Sequence, residues 1–249
     1  MEPIRLQKFF TDCDILSRRA AEEEIKAGKV FVNGIRAEIG QKIDPETDLV
    51  EYQGQILKPP DKIIFKYVML NKPRGYLSSV TDDRGRHCVT ELVADVGTRL
   101  YPVGRLDMDS EGLLLLTNDG NLTYKLTHPK HEIPKIYHVR IAGTVTVEQQ
   151  KALASPMEID GYSILPVKTE IITAKKDYTV LRMKLFEGRN RQIRKMCESQ
   201  GLKILRLTRV AIGNLELGDL SIGKWRYLTH SQVEYLKQGK IKKKEEKSC

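Results

Sequence analysis

Cysteine, tryptophan and long apolar runs are scarce in this chain of 249 residues, which contains four cysteines and one tryptophan. The cysteines are Cys13, Cys88, Cys197 and Cys249. Because no two of them form a Cys-x-x-Cys pair, they favour reduced structural thiols over a disulfide framework or a zinc site. The longest aliphatic run, Leu113 to Leu116, is far too short to span a membrane, so we expect no membrane association. Residues 1–5 lack a charged segment followed by an apolar one, which predicts a cytoplasmic protein.

Positive charge, by contrast, is abundant: the formal net charge is +9 and the pI is near 9.3. A cationic surface attracts polyanions because binding releases their condensed counterions, so the charge favours a nucleic-acid partner. A merely basic soluble protein would have the same charge, and the residue pattern has to distinguish the two. The length allows a small domain beside a medium-sized one.

The N-terminal residues, 1–58, predict a small α/β domain. Ser17 is a suitable N-cap for a helix that continues through Ile25, and Gly28 is well placed to end it. Two hairpins are predicted, one around Asn33-Gly34 and one around Gln53-Gly54, because these turn residues tolerate a positive φ.

The prolines at 59 and 60 predict a linker over residues 59–62, since consecutive prolines exclude both a helix and a central strand. The larger domain then covers residues 63–236 and has the pattern of an α+β fold with a mostly antiparallel mixed sheet. Its predicted strands are 63–70, 113–117, 137–141, 164–172, 180–186 and 204–212, and its predicted helices are 122–126, 147–154 and 191–200. Residues 237–249, which include three consecutive lysines, predict a basic flexible tail.

Four basic residues mark a candidate phosphate site in the small domain, where helix N-termini lie beside cationic side chains. They are Lys8, Arg18, Arg19 and Lys29. A solvated charged face is the alternative. The segments 5–8, 17–20, 28–30 and 32–34 together resemble the RNA-binding domain named after ribosomal small-subunit protein four. This resemblance covers about residues 5–52 and implies that the module binds structured RNA.

The most informative segment is 104–120, in which Asp107 precedes Gly112 and a run of four leucines. A carboxylate at the start of a buried strand suits a reactive group at the rim of a cleft, although such an aspartate also caps backbone N–H groups in turns. Asp107 and Asp109 would share one strand face, and paired carboxylates leave an RNA N-glycosidase as an alternative.

Three further segments accompany this one along the chain. They are Leu70-Asn71-Lys72-Pro73-Arg74-Gly75 before it, and Lys135-Ile136-Tyr137 and Glu187 to Arg194 after it. Over about residues 67–228 the chain thereby resembles pseudouridine synthases of the ribosomal RNA branch, the small-subunit synthase A and large-subunit synthase B type. Ser110 stands where these relatives often have threonine. The resemblance implies a cofactor-free and metal-free enzyme whose single catalytic aspartate is Asp107.

The resemblance also implies roles for other residues. Arg194 would pair with Asp107 and keep it ionised, and Tyr137 would stack on the target base and assist removal of the C5 proton. Arg105 and Arg189 would neutralise phosphates beside a flipped uridine. By residue type alone, Tyr137 also fits a core aromatic and Arg194 an exposed helix-face arginine.

The chemistry needs one carboxylate: the N1–C1′ bond breaks, the base rotates, and C5 joins C1′ without any redox step. Asp107 would act either as a nucleophile on the nucleoside or as a base that removes a sugar proton to give a glycal. His128, His131 and His138 lack a matching ligand set for zinc. The segment 213–218 starts like a phosphate loop but continues with Asp219 instead of lysine.

The sequence therefore predicts site-specific isomerisation of uridine to pseudouridine in ribosomal RNA. The large subunit is preferred because residues 78–83 look most like the B-type members. The alternative is a non-catalytic RNA-binding factor for ribosome assembly. The expected partner is ribosomal RNA or an assembly intermediate, and the expected oligomeric state is a monomer.

Overall fold

The structure is a computed structural model that describes residues 2–59 and 63–238. The chain divides into two compact units, Met1–Ile64 and Phe65–Cys249. Of the predicted linker, residues 60–62 lie outside the described residues. Every helix in the described ranges is too short or too polar to cross a membrane.

The first unit consists of two helices and six short strands. They are β1 (Ile4–Arg5), α1 (Leu6–Asp12), α2 (Arg18–Lys26), β2 (Val30–Val32), β3 (Ile35–Arg36), β4 (Lys42–Ile43), β5 (Val50–Tyr52) and β6 (Gln55–Leu57). The main sheet is antiparallel with the order β3-β2-β5-β6, and β1 pairs with β4. Both predicted hairpins are present, with Asn33 and Gln53 at φ values of 52° and 53°. The Ser17 side chain caps α2 as predicted, because it accepts a hydrogen bond from the Ala20 N–H at 3.1 Å.

The core of the first unit follows from the spacing of its apolar residues. Leu6, Phe9 and Phe10 occupy one face of α1 and are at most 1% exposed. Phe10 meets Tyr52 of β5 edge to face, with ring centroids 5.4 Å apart and planes at 86°. This geometry suits the ring quadrupoles and fixes the helices against the sheet.

The second unit contains a nine-stranded sheet with helices on both faces. Its strands are β7 (Tyr67–Lys72), β8 (Tyr101–Val103), β9 (Glu111–Thr117), β10 (Lys135–Ala142), β11 (Glu158–Ile159), β12 (Tyr162–Ser163), β13 (Lys168–Ala174), β14 (Tyr178–Leu185), β15 (Ile204–Ile212), β16 (Leu215–Glu216) and β17 (Trp225–Tyr227). Its helices are α3 (Gly120–Thr127), α4 (Val147–Ala154), α5 (Gln192–Ser199) and α6 (His230–Gln238), with 3-10 turns at Val89–Val96 and Pro129–His131.

The large sheet has the strand order β13-β14-β10-β15-β9-β7-β17, while β8 pairs with β9 and β16 with β15. Strands β11 and β12 form a separate hairpin. Among these strand pairings of the described residues, only β9 with β15 is parallel. The predicted α+β class with a mostly antiparallel mixed sheet is therefore confirmed.

Three predicted boundaries were wrong. The strand predicted at 63–70 begins only at Tyr67, because the Asn118 side chain accepts from the Lys66 N–H. The strand predicted at 164–172 begins at Lys168, after Pro166, which has no N–H to donate to a neighbouring strand. Helix α6 extends through Gln238, two residues into the predicted tail, and residues 239–249 lie outside the described residues.

Alternate residues of β9 enter two different cores. Leu113 and Leu115 pack with α3 and α6, whereas Leu114 and Leu116 pack with the 3-10 turn at Val89–Val96. A third core lies between α4, α5 and strands β10 and β14. Tyr137 packs against both this third core and the cluster of Leu114, so the two clusters meet at its ring. The candidate site lies at this junction.

Candidate active site

Asp107 lies in the loop 104–110 between β8 and β9, and not on a strand as expected. The loop turns here because the Ser110 N–H donates to the Asp107 carbonyl at 3.0 Å, which closes a tight turn. Ser78 holds Leu106, the residue before Asp107, through both of its backbone groups. The Leu106 N–H donates to Ser78 Oγ at 3.0 Å, and the Ser78 hydroxyl donates to the Leu106 carbonyl at 2.8 Å. The shared strand face for Asp107 and Asp109 was therefore a wrong prediction.

The Lys72 side chain holds the Asp107 loop in place through hydrogen bonds, a role that the sequence analysis did not predict. Its side chain is fully buried at the end of β7, and Nζ donates to the carbonyls of Pro73, Asp107 and Ser110 at 3.0, 3.1 and 2.8 Å. Burial lowers the Lys72 pKa to about 8, although the nearby carboxylate of Asp107 opposes this shift. Lys72 belongs to the segment 70–75, one of the four segments that carry the family resemblance, but the sequence analysis assigned it no role.

Gly112 lets β9 approach β15 closely directly behind the loop. It has a φ of 105°, and a Cβ atom there would lie 2.3 Å from the Arg209 carbonyl oxygen. Beside it, the buried Glu111 accepts from Thr208 Oγ1 at 2.8 Å and is ion-paired with Arg206. The two strands are thus joined at the point where the loop ends.

Asp107 faces a cleft of about 360 Å³, a volume suited to a small ligand such as a nucleoside. The lining residues come from the Asp107 loop, from β10, β14 and β15, and from the segment 187–194 before and within α5. All five predicted residues of this unit line it: Arg105, Asp107, Tyr137, Arg189 and Arg194.

Arg194 reaches the Asp107 loop but does not make the predicted direct pair with Asp107. Its Nη2 atom lies 3.1 Å from Asp109 Oδ1 and donates to the Asp109 carbonyl at 3.0 Å and to Ser110 Oγ at 3.1 Å. Asp109, which is exposed in the turn at 107–110, is the ion-pair partner of Arg194 instead. Burial lowers the Arg194 pKa, while the charge of Asp109 and, less strongly, of Asp107 opposes this.

Arg191 is the residue that ion-pairs with Asp107. Its Nη1 atom lies 3.9 Å from Asp107 Oδ2 and 3.4 Å from Asp109 Oδ2. Arg191 adopts a left-handed conformation, with a φ of 52°, at the N-cap of α5. This backbone geometry is unfavourable for a side chain with a Cβ atom and often marks a functional position.

Tyr137 is half-buried on β10 and lines the same cleft as Asp107. The sequence left open that Tyr137 is only a core aromatic. This describes part of its environment, because its ring packs on two cores and also lines the cleft. An aromatic ring at this position can stack on a planar base.

Arg105 and Arg189 are exposed at the cleft. Arg189 is held by Glu187, with Nε 3.2 Å from Oε2, and its guanidinium lies 4.7 Å from the centre of the Tyr162 ring. Both arginines can approach a phosphate group while the buried packing around them stays intact.

The basic residues predicted for the small domain belong to the first unit. Arg18 and Arg19 are exposed in the first turn of α2, where free N–H groups favour anions. Lys8 is ion-paired with Asp12, and Lys29 lies 3.1 Å from Glu24 Oε1.

A small helical module with two arginines exposed at a helix N-terminus, together with a cleft that presents one aspartate, one tyrosine and several arginines, fits an enzyme that acts on RNA. The family described as RNA pseudouridylate synthase matches residues 66–199, and the S4 domain matches residues 15–49. The chain belongs to the RNA pseudouridylate synthase family. Its reaction is therefore the isomerisation of uridine to pseudouridine in RNA.

Similar proteins cover nearly the whole chain. Ribosomal large subunit pseudouridine synthase B of Bacillus subtilis (strain 168) is 39% identical over 94% of this chain and 95% of its own length. A dual-specificity RNA pseudouridine synthase of Escherichia coli (strain K12) is 36% identical over 92% of this chain and 77% of its own length. A crystal structure of a pseudouridylate synthase superposes with a TM-score of 0.66 at 32% identity, covering 94% of this chain and 99% of that one.

Proposed function

We propose that this protein isomerises a specific uridine of large-subunit ribosomal RNA, and that Asp107 is its catalytic residue. The observation that carries the proposal is the position of Asp107 at the cleft, on a loop anchored by Lys72 and Ser78 and opposite Tyr137. The large subunit is the substrate named for the Bacillus subtilis relative. A rigidly held carboxylate is suited to act on one glycosidic bond without a cofactor.

In the proposed reaction the N1–C1′ bond breaks and the uracil leaves as an anion. Asp107 assists in one of two ways: it attacks the nucleoside as a nucleophile, or it removes a sugar proton to give a glycal. The detached base rotates, C5 bonds to C1′, and the hydrogen on C5 is lost while N1 gains a proton. Atoms and charge balance without a redox partner.

Tyr137 and the two arginines of the 191–194 segment have supporting roles in this proposal. Tyr137 stacks on the base and assists removal of the C5 proton. Arg191 makes the ion pair with Asp107, and Arg194 holds the loop through Asp109 and Ser110.

A uridine reaches Asp107 only when it leaves the RNA stack. Arg105 and Arg189, exposed at the cleft, are the proposed contacts for the phosphates on either side of the flipped nucleotide. The exposed Arg18 and Arg19, with Lys8 and Lys29, are the proposed phosphate contacts of the S4 domain.

The test is tritium release from C5-tritiated, unmodified large-subunit ribosomal RNA, with native protein compared with Asp107→Asn. Forming the C5–C1′ bond displaces this hydrogen, so we expect release by the native protein and none by the variant. Asp177→Asn is the matched control, because it neutralises an exposed carboxylate of the same unit that does not line the cleft, and it should keep the native activity. Release of free uracil would instead indicate a glycosidase, and tight binding without tritium release from naked RNA or ribosomal particles would favour the assembly-factor alternative.

The cytoplasmic location and the monomeric state remain predictions from the sequence. Fractionation of cells that express the tagged full chain tests the first, and sedimentation equilibrium of the purified protein tests the second.

A further inference from the structure

One face of the large sheet is cationic and exposed over β13, β14, β10 and β15. In β10 and β14, Val139, Ile141, Leu181 and Met183 are fully buried and enter the core under α4 and α5. The residues that alternate with them therefore project from the other face, because successive side chains of a strand point in opposite directions. On this face lie Lys168, Arg182, Lys184, Arg140 and Arg206, which we call the outer cationic face.

Strand register brings these cations close together. Lys168 is the cross-strand partner of Lys184, and Arg140 is that of Arg206. Arg182 lies opposite His138, which in turn lies opposite Thr208. Directly opposed side chains have Cβ atoms about 5 Å apart, so like charges accumulate across four adjacent strands.

This charge is largely uncompensated within the described residues. Arg206 is ion-paired with the buried Glu111. No carboxylate oxygen of the described residues lies within 4.0 Å of Lys168, Lys184, Arg140 or Arg182. Glu170, opposite Arg182, is the nearest acidic residue by register. Like charges that face each other across strands destabilise the folded protein, and a bound anion would relieve this repulsion.

Some of the cations are held in place before any partner arrives. The Arg140 guanidinium lies 3.7 Å from the centre of the Tyr178 ring, and Lys184 Nζ lies 5.4 Å from that of Phe186. Partial burial and the neighbouring Arg182 lower the pKa of His138, which leaves it a neutral hydrogen-bonding group near pH 7. Pre-ordered donors lose less conformational freedom on binding.

We propose that the outer cationic face binds the phosphate backbone of a second segment of the RNA substrate, separate from the segment in the cleft. The cleft residues Tyr137 and Leu207 alternate with His138, Arg140, Arg206 and Thr208 along the same strands, so the face and the cleft use opposite sides of the sheet. Cations spread over four strands match a chain of regularly spaced phosphates. This inference rests on the proposed function, since it assumes that RNA is the substrate.

The test compares three variants that each remove three positive charges from the full chain. The first face variant is Arg140→Gln, Arg182→Gln and Lys184→Gln. The second, Lys168→Gln, Arg182→Gln and Lys184→Gln, keeps the contact between Arg140 and Tyr178. The control variant is Lys151→Gln, Lys224→Gln and Lys237→Gln, three exposed lysines that lie elsewhere in the same unit. Thermal unfolding establishes that each variant is folded.

Binding of a large-subunit ribosomal RNA transcript is measured from low to moderate salt. Removing one phosphate contact lowers the log-log salt slope by about 0.7 to 0.9, so both face variants should show a slope smaller by about two and an affinity at least about tenfold weaker at low salt. The control should stay within about twofold of the native protein. In tritium release, KM should rise for the face variants while kcat at saturating RNA is unchanged.

Equal binding by the face and control variants would overturn the proposal and leave an acidic protein as the occupant of the face. If the first face variant fails to fold, the second decides. If the native protein releases no tritium, the proposed function fails, whereas the salt slopes still decide whether RNA occupies the outer cationic face.

Discussion

Lys72 shows how one buried charge can hold a reactive loop. Near neutral pH its ammonium group supplies one donor to each of three carbonyls, two of them in the turn that contains Asp107. Without the lysine these carbonyls would be buried with fewer partners, which is costly. The lysine thus positions Asp107 without touching the substrate.

The lowered pKa of Lys72 makes stability depend on pH. Its folded pKa is about 8 against an ordinary value of 10.5, so between these values the unfolded chain binds more protons. Stability from this group therefore rises as the pH increases from about 8 to 10.5. We expect the urea midpoint of the native protein to rise over this window relative to that of Lys72→Met, in which the group is absent. Parallel pH profiles for the two proteins would contradict the prediction.

The two arginines near Asp107 should differ in their effect on catalysis. Arg194 has a side chain only 16% exposed that joins α5 to Asp109 and Ser110, whereas that of Arg191 is 45% exposed. Loss of a buried charged bridge costs more than loss of a solvated one. We expect Arg194→Gln to lower kcat by about tenfold more than Arg191→Gln in single-turnover tritium release. Equal losses would mean that both arginines act on Asp107 in the same way.

The sequence was sufficient to predict that Asp107, Tyr137 and Arg194 meet at the cleft, but neither how they pair nor that Arg191 joins them. Asp107, Tyr137 and Arg194 were all predicted, because each lies in a recognisable segment. The pairing of Arg194 with Asp109 depends on the approach of α5 to the turn at 107–110, a tertiary contact across 85 positions. No local pattern specifies such a contact.

At the scale of elements, the junction of β9 and β15 has little tolerance. Gly112→Ala would place a Cβ atom 2.3 Å from the Arg209 carbonyl oxygen, and neither backbone can move away without separating the strands. We expect a loss of about 3 kcal/mol or more in the free energy of unfolding, with loss of activity. Gly218→Ala is the control: it also has a positive φ, 64°, but no atom within 4 Å, and should cost only about 1 kcal/mol. Chemical denaturation measures both.

Removing each of two helix N-caps in turn distinguishes an effect on RNA binding from a general loss of stability. Ser17 caps α2 in the first unit, and Thr146 caps α4 in the second. Loss of either cap costs about 1 kcal/mol, but only α2 carries the proposed RNA contacts Arg18 and Arg19. We expect Ser17→Ala to weaken RNA binding severalfold and Thr146→Ala to leave it unchanged. Filter binding measures this, and equal affinities would argue against an RNA contact at α2.

Turn residues were the most reliable sequence signals for elements, because a positive φ is a local requirement. Asn33-Gly34 and Gln53-Gly54 therefore predicted their hairpins. Residues 63–66 are apolar enough for a strand, yet the Asn118 side chain takes the Lys66 N–H. The start of β7 is thus determined by a residue 52 positions away.

For the whole molecule, the two compact units predict that RNA binding depends mainly on the first unit and catalysis on the second. Deleting residues 1–58 should weaken RNA binding more than it damages the cleft, because the cores around the cleft belong to the second unit alone. The deletion removes the four proposed phosphate contacts of the S4 domain, so the log-log salt slope should fall by about 3 for single-stranded RNA. Tritium release at saturating RNA by the deletion variant provides the control for an intact cleft. Unchanged affinity would assign the first unit another role.

The parallel pairing of β9 with β15 also determines when the protein becomes an enzyme. Glu111 and Thr208 are 97 positions apart, whereas β7 with β9 and β10 with β14 pair over much shorter separations. Contacts of large sequence separation form slowly, because closing a long loop is entropically unfavourable. Both halves of the sheet are therefore able to form before the junction that creates the cleft. A growing chain that has not yet reached β15 has Asp107 and Tyr137 but no strand to bring them together, so we expect newly made protein to be inactive until that strand has left the ribosome.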